Sequence, residues 1–132
     1  MATILAHIKV FAGSEPAFED VIRPLYAATH RLEPHCRRYE YWRGAEPGTY
    51  YCLLSFRDFT AFMEHQSSEH HEAPDFARLI ERIRLEWVDP VPGASDLVPT
   101  TRQDLPADAN QLMRAYATRM PAEVADWWQA LR

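Results

Sequence analysis

The sequence predicts an α+β fold, a four-stranded antiparallel sheet of ferredoxin-like βαββαβ order with its helices on one face. Three observations predict it. Apolar residues alternate with a period of two in some stretches and recur at helical spacing in others. All four glycines, Gly13, Gly44, Gly48 and Gly93, fall between those stretches. The stretches run strand, helix, strand, strand, helix, strand, and right-handed crossovers fold that order into a split βαβ sheet.

Thr3 to Phe11 read as the first strand. Ile4, Ala6, Ile8 and Val10 point one way and Leu5, His7, Lys9 and Phe11 the other. Both faces are largely apolar, so both are expected to be covered. Ser14 can cap a helix that runs to about Leu32, with Pro16 tolerated in its first turn. Its apolar stripe is Phe18, Val21, Ile22, Leu25, Thr29 and Leu32, and Pro24 is expected to bend it. Glu33-Pro34 ends the helix. Cys36 to Arg43 and Thr49 to Arg57 then read as an aromatic-rich β-hairpin. Setting Gly44 opposite Gly48 puts Cys36 opposite Phe56 and Cys52 opposite Glu40. The two sulfurs would then lie about 13 Å apart, too far to bridge. Two free thiols fit a reducing compartment. Asp58 can cap a helix from Phe59 to about Gln66. Ser68 can cap a second helical segment, which Pro74 interrupts or kinks before about Ile83, and Leu85 to Val88 is the last strand.

Residues 1–92 are thus read as one ferredoxin-like domain, and residues 93–132 as a Pro-rich connector with a helical extension. From residue 90 onward the chain holds five of its ten prolines, which sets this part apart in character. Asp108 to about Thr118 fits a helix with Leu112 and Tyr116 on its apolar side. Pro121 suits the start of another, in which Val124, Trp127, Trp128 and Leu131 stand at i, i+3, i+4 and i+7. That stripe suits packing on its own domain or wrapping a partner subunit.

Charge excludes some functions. The net charge is −5, and Lys9 is the only lysine beside thirteen scattered arginines, which argues against a nucleic-acid partner. The longest apolar runs are too short to span a bilayer, and no basic-then-apolar leader opens the sequence, so the expectation is a cytoplasmic protein without membrane contact. There is no glycine-rich phosphate or dinucleotide motif. Neither Ser67 nor Ser68 sits in a Gly-flanked strand-to-helix turn, so a serine nucleophile is not supported.

The chemistry concentrates in His65-Gln66-Ser67-Ser68-Glu69-His70-His71, which holds three of the six histidines. On a continuous helix His65 and His70 would stand about 140° apart, and no pair has i,i+4 spacing. Ordinary zinc spacing is absent, so no metal is expected. Acid–base work fits better, because histidine titrates near neutrality and can accept a phenolic proton within hydrogen-bond reach. The plainer alternative is an exposed first helical turn beside the Ser68 cap. The hairpin aromatics Tyr39, Tyr41, Trp42, Tyr50, Tyr51 and Phe56 suit a core or interface. A face of Tyr and Trp beneath helices can also form a dry pocket for a flat aromatic ligand.

Four segments together resemble the antibiotic biosynthesis monooxygenase family across residues 3–89. They are Ile4-Leu5-Ala6-His7-Ile8-Lys9-Val10-Phe11-Ala12-Gly13; Arg23-Pro24-Leu25-Tyr26-Ala27-Ala28-Thr29 continuing into Glu33-Pro34-His35-Cys36-Arg37-Arg38-Tyr39-Glu40; Pro47-Gly48-Thr49-Tyr50; and Ala61-Phe62-Met63-Glu64-His65 with Ser68 and His70. The last carries the family's His-x-x-Ser-x-His pattern.

The resemblance implies a homodimeric α+β barrel whose two sheets pack face to face, each subunit keeping a pocket between sheet and helices. It implies oxidation of a small phenolic or quinol-type aromatic by O2 without flavin, haem or metal. A deprotonated phenol or hydroquinone is electron-rich enough to reduce O2, so the protein must favour the anion, exclude water and hold the ring. On this reading His65 or His70 takes the proton, Arg57 favours the phenolate, and Trp42, Tyr51, Phe56 and His71 line the pocket. The alternative of another class is a non-catalytic homodimer that binds a small aromatic molecule or serves in assembly. Some positions depart from the family. His35 stands where Gly is common after Glu-Pro, and Leu54 where many members carry Glu. Ala6 and His7 stand in the region of the haem-degrading relatives' Asn, and His65 where their Trp falls, which argues against haem degradation.

Overall fold

A computed structural model of the protein describes all 132 residues. The elements are β1 (Ala2–Val10), α1 (Glu15–Leu32), β2 (Cys36–Arg43), β3 (Thr49–Phe56), α2 (Phe59–Gln66), α3 (Glu69–Glu72), β4 (Ile80–Trp87), α4 (Gln111–Arg119) and α5 (Asp126–Gln129), with a 3-10 turn at Phe76–Arg78. The sheet order is β2-β3-β1-β4, every neighbouring pair antiparallel, as the ferredoxin-like arrangement requires. No helix is long and apolar enough to cross a membrane.

The period of two in β1 sorts its residues into two faces. Ala2, Ile4, Ala6, Ile8 and Val10 are buried, and across the ladder Phe56, Leu54, Cys52 and Tyr50 join them. Over this face lie Phe18, Ile22 and Leu25 of α1 and Phe62 and Met63 of α2. Burying each of these large side chains contributes about 1.5–3 kcal/mol. The opposite face carries Leu5, His7 and Lys9 beside Leu53, Tyr51 and Trp42. Within one chain it is covered only near one end, where Arg38 pairs with Asp96 at 2.6 Å and Thr100 Oγ1 accepts from the Thr3 amide. The expectation that both faces are covered therefore holds for one face of the single chain.

Several local expectations change. The Ser14 hydroxyl does not cap α1, although its carbonyl accepts the first helical bond from Phe18. The helix runs through Pro24 to Leu32, which is exposed rather than part of the buried stripe. Asp58 and Ser68 do cap, accepting from the amides of Ala61 and His71. In the hairpin Cys36 faces Phe56 as expected, but a bulge between Cys36 and Arg38 sets Cys52 opposite Tyr41 instead of Glu40. Both cysteines are free thiols. The last strand starts at Ile80, five residues earlier than expected. Glu81, Arg82, Arg84 and Glu86 interrupt its apolar pattern because β4 is a half-exposed edge strand.

The C-terminal segment packs on its own chain through α4. The Asn110 side chain caps this helix, Met113 is buried in the main core, and α4 lies against α2. Arg132 is tied to Asp89 at 2.7 Å. The expected helix from Pro121 shortens to the single turn of α5. Val124 is buried, whereas Trp127 and Leu131 of the predicted stripe are exposed.

Candidate active site

The histidine cluster is organised by a break between two helices. Ser67 Oγ donates to the Met63 carbonyl at 2.8 Å and helps close α2. Ser68 turns extended, donates its hydroxyl to the His65 carbonyl at 2.8 Å and caps α3. The chain therefore changes direction between His65 and His70, and the divergence expected of a continuous helix disappears. Both imidazoles converge on Glu33 at the C-terminal end of α1. His65 Nδ1 lies 3.0 Å from the Glu33 carboxylate and His70 Nε2 2.6 Å from it. A carboxylate only accepts, so each of these ring nitrogens donates. His65 Nε2 is fully buried and without a partner. The His65 ring is wedged among Tyr39 at 4.8 Å, Phe56 at 5.0 Å and His71 at 4.8 Å.

These same three residues are the ones that could hold a metal. One ligand atom each from Glu33, His65 and His70 lie within 4.8 Å of one another. Two imidazoles and a carboxylate form a known donor set for divalent metals. In the chain as folded, the two N–H donors satisfy the carboxylate directly.

Beside this cluster lies a cavity of about 390 Å³ between the sheet and the C-terminal helix. Its floor is Ala6, Ile8, Cys52 and Leu54; Tyr39, Tyr41 and His71 stand at its sides, and Tyr116, Arg119 and Met120 of the α4 end close it. Apart from Arg119, the titratable groups on its wall are held in their neutral forms near neutrality. Burial, reinforced by the neighbouring His65, pushes the His71 imidazole down to about 4. Burial likewise raises the Tyr39, Tyr41 and Cys52 groups well above their ordinary values. The Tyr39 and Tyr41 hydroxyls are 3.1 Å apart. His71 Nδ1 is buried and has no partner. Arg119 is the only charged side chain on the wall.

A model of the antibiotic biosynthesis monooxygenase family matches residues 1–74, more than half of the chain. The chain belongs to the antibiotic biosynthesis monooxygenase family. Solved structures agree on the fold. PA3566 from Pseudomonas aeruginosa is 24% identical, with a TM-score of 0.62, and the match covers 68% of this chain and 93% of that one. A Caulobacter crescentus protein named as a candidate antibiotic biosynthesis monooxygenase is 26% identical, with a TM-score of 0.63, covering 68% and 89%. Rv0793 from Mycobacterium tuberculosis is 22% identical, with a TM-score of 0.63, covering 71% and 98%. No curated protein matches the chain.

Within this member of the antibiotic biosynthesis monooxygenase family, the expected site residues divide. His65, His70 and His71 come together, with Phe56 stacked behind His65 in the core. Trp42 and Tyr51 do not join them. Tyr50 and Cys52 face the helices, so Tyr51 must face the other way, where it pairs with Trp42 and meets His7. Arg57 sits beyond β3, bonded to Asp58 at 2.7 Å and to the His35 ring, away from the cavity. Sequence reasoning missed Glu33 and Arg119, and gave Tyr39, Tyr41 and Tyr116 only as strand or helix aromatics. Glu33 had a readable signal, because an acid at a helix C-terminus opposes the helix dipole and calls for a partner. Tyr116 and Arg119 lie beyond the segment matched by the family model.

Proposed function

We propose that the protein is a cofactor-independent monooxygenase that oxidises a small phenolic or quinol-type aromatic with O2 in the cavity beneath α4. The observation that carries this reading is His71, the one imidazole lining a largely apolar cavity, neutral and with a buried, unpartnered Nδ1. A phenol seated there would lie against the His71 imidazole on a largely apolar floor. Once the phenolate forms, its negative charge favours the protonated imidazole and raises the basicity that burial depresses. His65, held by Glu33, braces the His71 ring from behind as a positioning residue. His70 fixes the other side of Glu33. The proton acceptor is thus moved from His65 or His70 to His71.

The reaction balances without an external reductant. A hydroquinone and O2 give a hydroxyquinone and water; one oxygen atom enters the ring, the other leaves as water, and the substrate supplies all four electrons. The cavity's apolar floor supports this by limiting water at the anion.

The bare sheet face supports a homodimer. Leu5, Leu53, Tyr51 and Trp42 expose apolar area there that a second sheet would cover. The two free thiols support a reducing, cytoplasmic setting.

The test is O2 uptake by chelator-treated protein with a panel of hydroquinones. Stoichiometric uptake, with one atom of ¹⁸O2 in the product, is expected for the wild type and a loss of at least about a hundredfold for His71→Leu. Uptake unchanged in His71→Leu would remove His71 from the mechanism. No uptake with any quinol would leave the non-catalytic binding reading in its place.

A further inference from the structure

We propose that the cavity selects aromatic ligands bearing an anionic substituent, and that Arg119, contributed by the C-terminal extension, is the residue that determines this specificity. The proposal rests on the assignment of the cavity as the ligand site and names the class of compound it takes. Arg119 lines the cavity and makes no ion pair with any carboxylate of the chain. The guanidinium carbon instead lies 5.4 Å from the centre of the Tyr116 ring. The Tyr116 hydroxyl donates to Glu72, which fixes the ring on which the guanidinium rests. An arginine so placed keeps its fork of N–H donors free for a planar carboxylate.

Two further observations point the same way. No carboxylate lines the cavity, so a bound anion meets no like charge on its wall. The protein as a whole carries a net charge of −5, which repels anions, and the single cation at this cavity reverses that bias locally. The larger cleft on the tail, about 460 Å³ and lined by Arg102 and Arg114, offers no such free cation. Arg114 donates to the carbonyls of Ala107 and Ala109, and Arg102 to that of Val124.

Geometry also limits the size of the ligand. The His71 ring centre lies 6.4 Å from that of Tyr116, and the Arg119 guanidinium 5.4 Å from it, so imidazole and guanidinium are at most about 12 Å apart. Both therefore lie within reach of a single one-ring hydroxy acid seated in the cavity.

The experiment is calorimetric titration of the full chain, without O2, using 4-hydroxybenzoate and its neutral analogue 4-hydroxybenzamide. The wild type is expected to bind the acid about tenfold more tightly than the amide, a preference that shrinks at high salt because Arg119 is exposed. Arg119→Gln should erase the preference, read as the ratio of acid to amide affinity, and Arg119→Lys restore part of it. Equal affinity for the two compounds in the wild type, an undiminished preference in Arg119→Gln, or no binding of either compound would overturn the proposal. Binding is read without turnover, so an acid held by Arg119 but never oxidised would sink the oxygenase reading and leave this one standing.

Discussion

Glu33 and His65 form a pair that locks the end of α1 to the end of α2, with His65 Nδ1 3.0 Å from the carboxylate and the imidazole wholly enclosed. A buried N–H that loses its acceptor costs about 1–3 kcal/mol, and Glu33 serves His70 as well. Glu33→Ala is therefore expected to destabilise the fold by about 2–3 kcal/mol, and Glu33→Gln by less, because the amide oxygen still accepts one bond. Urea unfolding midpoints would check this. Equal stability of Glu33→Ala and wild type would show that the pair does not hold the two helices.

The His71 imidazole carries a pH signature. Burial holds its folded-state value at about 4, below the ordinary 6.5. Between those values the unfolded chain binds the proton and the folded chain does not. Its contribution to stability is therefore level above about pH 6.5 and falls progressively as pH drops towards 4. The full difference corresponds to about 3 kcal/mol. His71→Phe keeps a ring in place and removes the titration. Its stability should fall less steeply than that of the wild type over this window, measured by denaturation at several pH values. Parallel profiles for the two proteins would contradict the buried neutral state.

Much of this architecture was legible because it follows from period and punctuation. The hairpin limits of β2, the α2 range and the Asp58 and Ser68 caps are local features, written in residues within a turn of one another. The register at the turn lies one residue off the Gly44–Gly48 expectation, with Arg43 opposite Tyr50, and Cys36 faces Phe56 only because a bulge, which has no strong composition signal, takes up the difference. β4 was shortened because its charged residues alternate on an edge that water reaches. At the site, the histidine run was visible, whereas its organiser was not: Glu33 lies 32 residues from His65, and only the tertiary fold brings them together. Trp42 and Tyr51 were assigned to the cavity because aromatic content does not state which face of a strand it lies on. Tyr50 and Cys52 settle that in the structure.

The opposite-face placement of Trp42 and Tyr51 has its own consequence. If the bare sheet face meets a second copy, Tyr51→Glu would set like charges across the interface and favour the monomer. The same change leaves the cavity side untouched. Light scattering at micromolar concentration should show a dimer for the wild type and a smaller species for Tyr51→Glu, with binding of a cavity ligand retained per chain. A monomeric wild type would remove the dimer, and loss of cavity binding in the variant would contradict the separation of the two faces.

The tail offers a contrast between two of its apolar residues. Met113 of α4 is 7% exposed and belongs to the main core, whereas Trp127 of α5 is 67% exposed. Truncating a buried Met leaves a cavity and costs about 2–5 kcal/mol; Met113, at the edge of the core, should lie near the lower end. An exposed Trp without a partner contributes within about 0.5 kcal/mol. Met113→Ala is thus expected to lower the unfolding midpoint clearly and Trp127→Ala hardly at all, although Trp127 and not Met113 stands in the amphipathic stripe of the sequence. The comparison also reports on the partner subunit. Should Trp127 grip a second copy, Trp127→Ala would lower thermal stability, and the loss would vary with protein concentration, because association stabilises by mass action. A loss independent of concentration would instead mean that α5 packs on its own chain. If the midpoint does not move, Trp127 belongs to a free surface, and the extension is held by α4, Val124 and the Arg132–Asp89 pair instead.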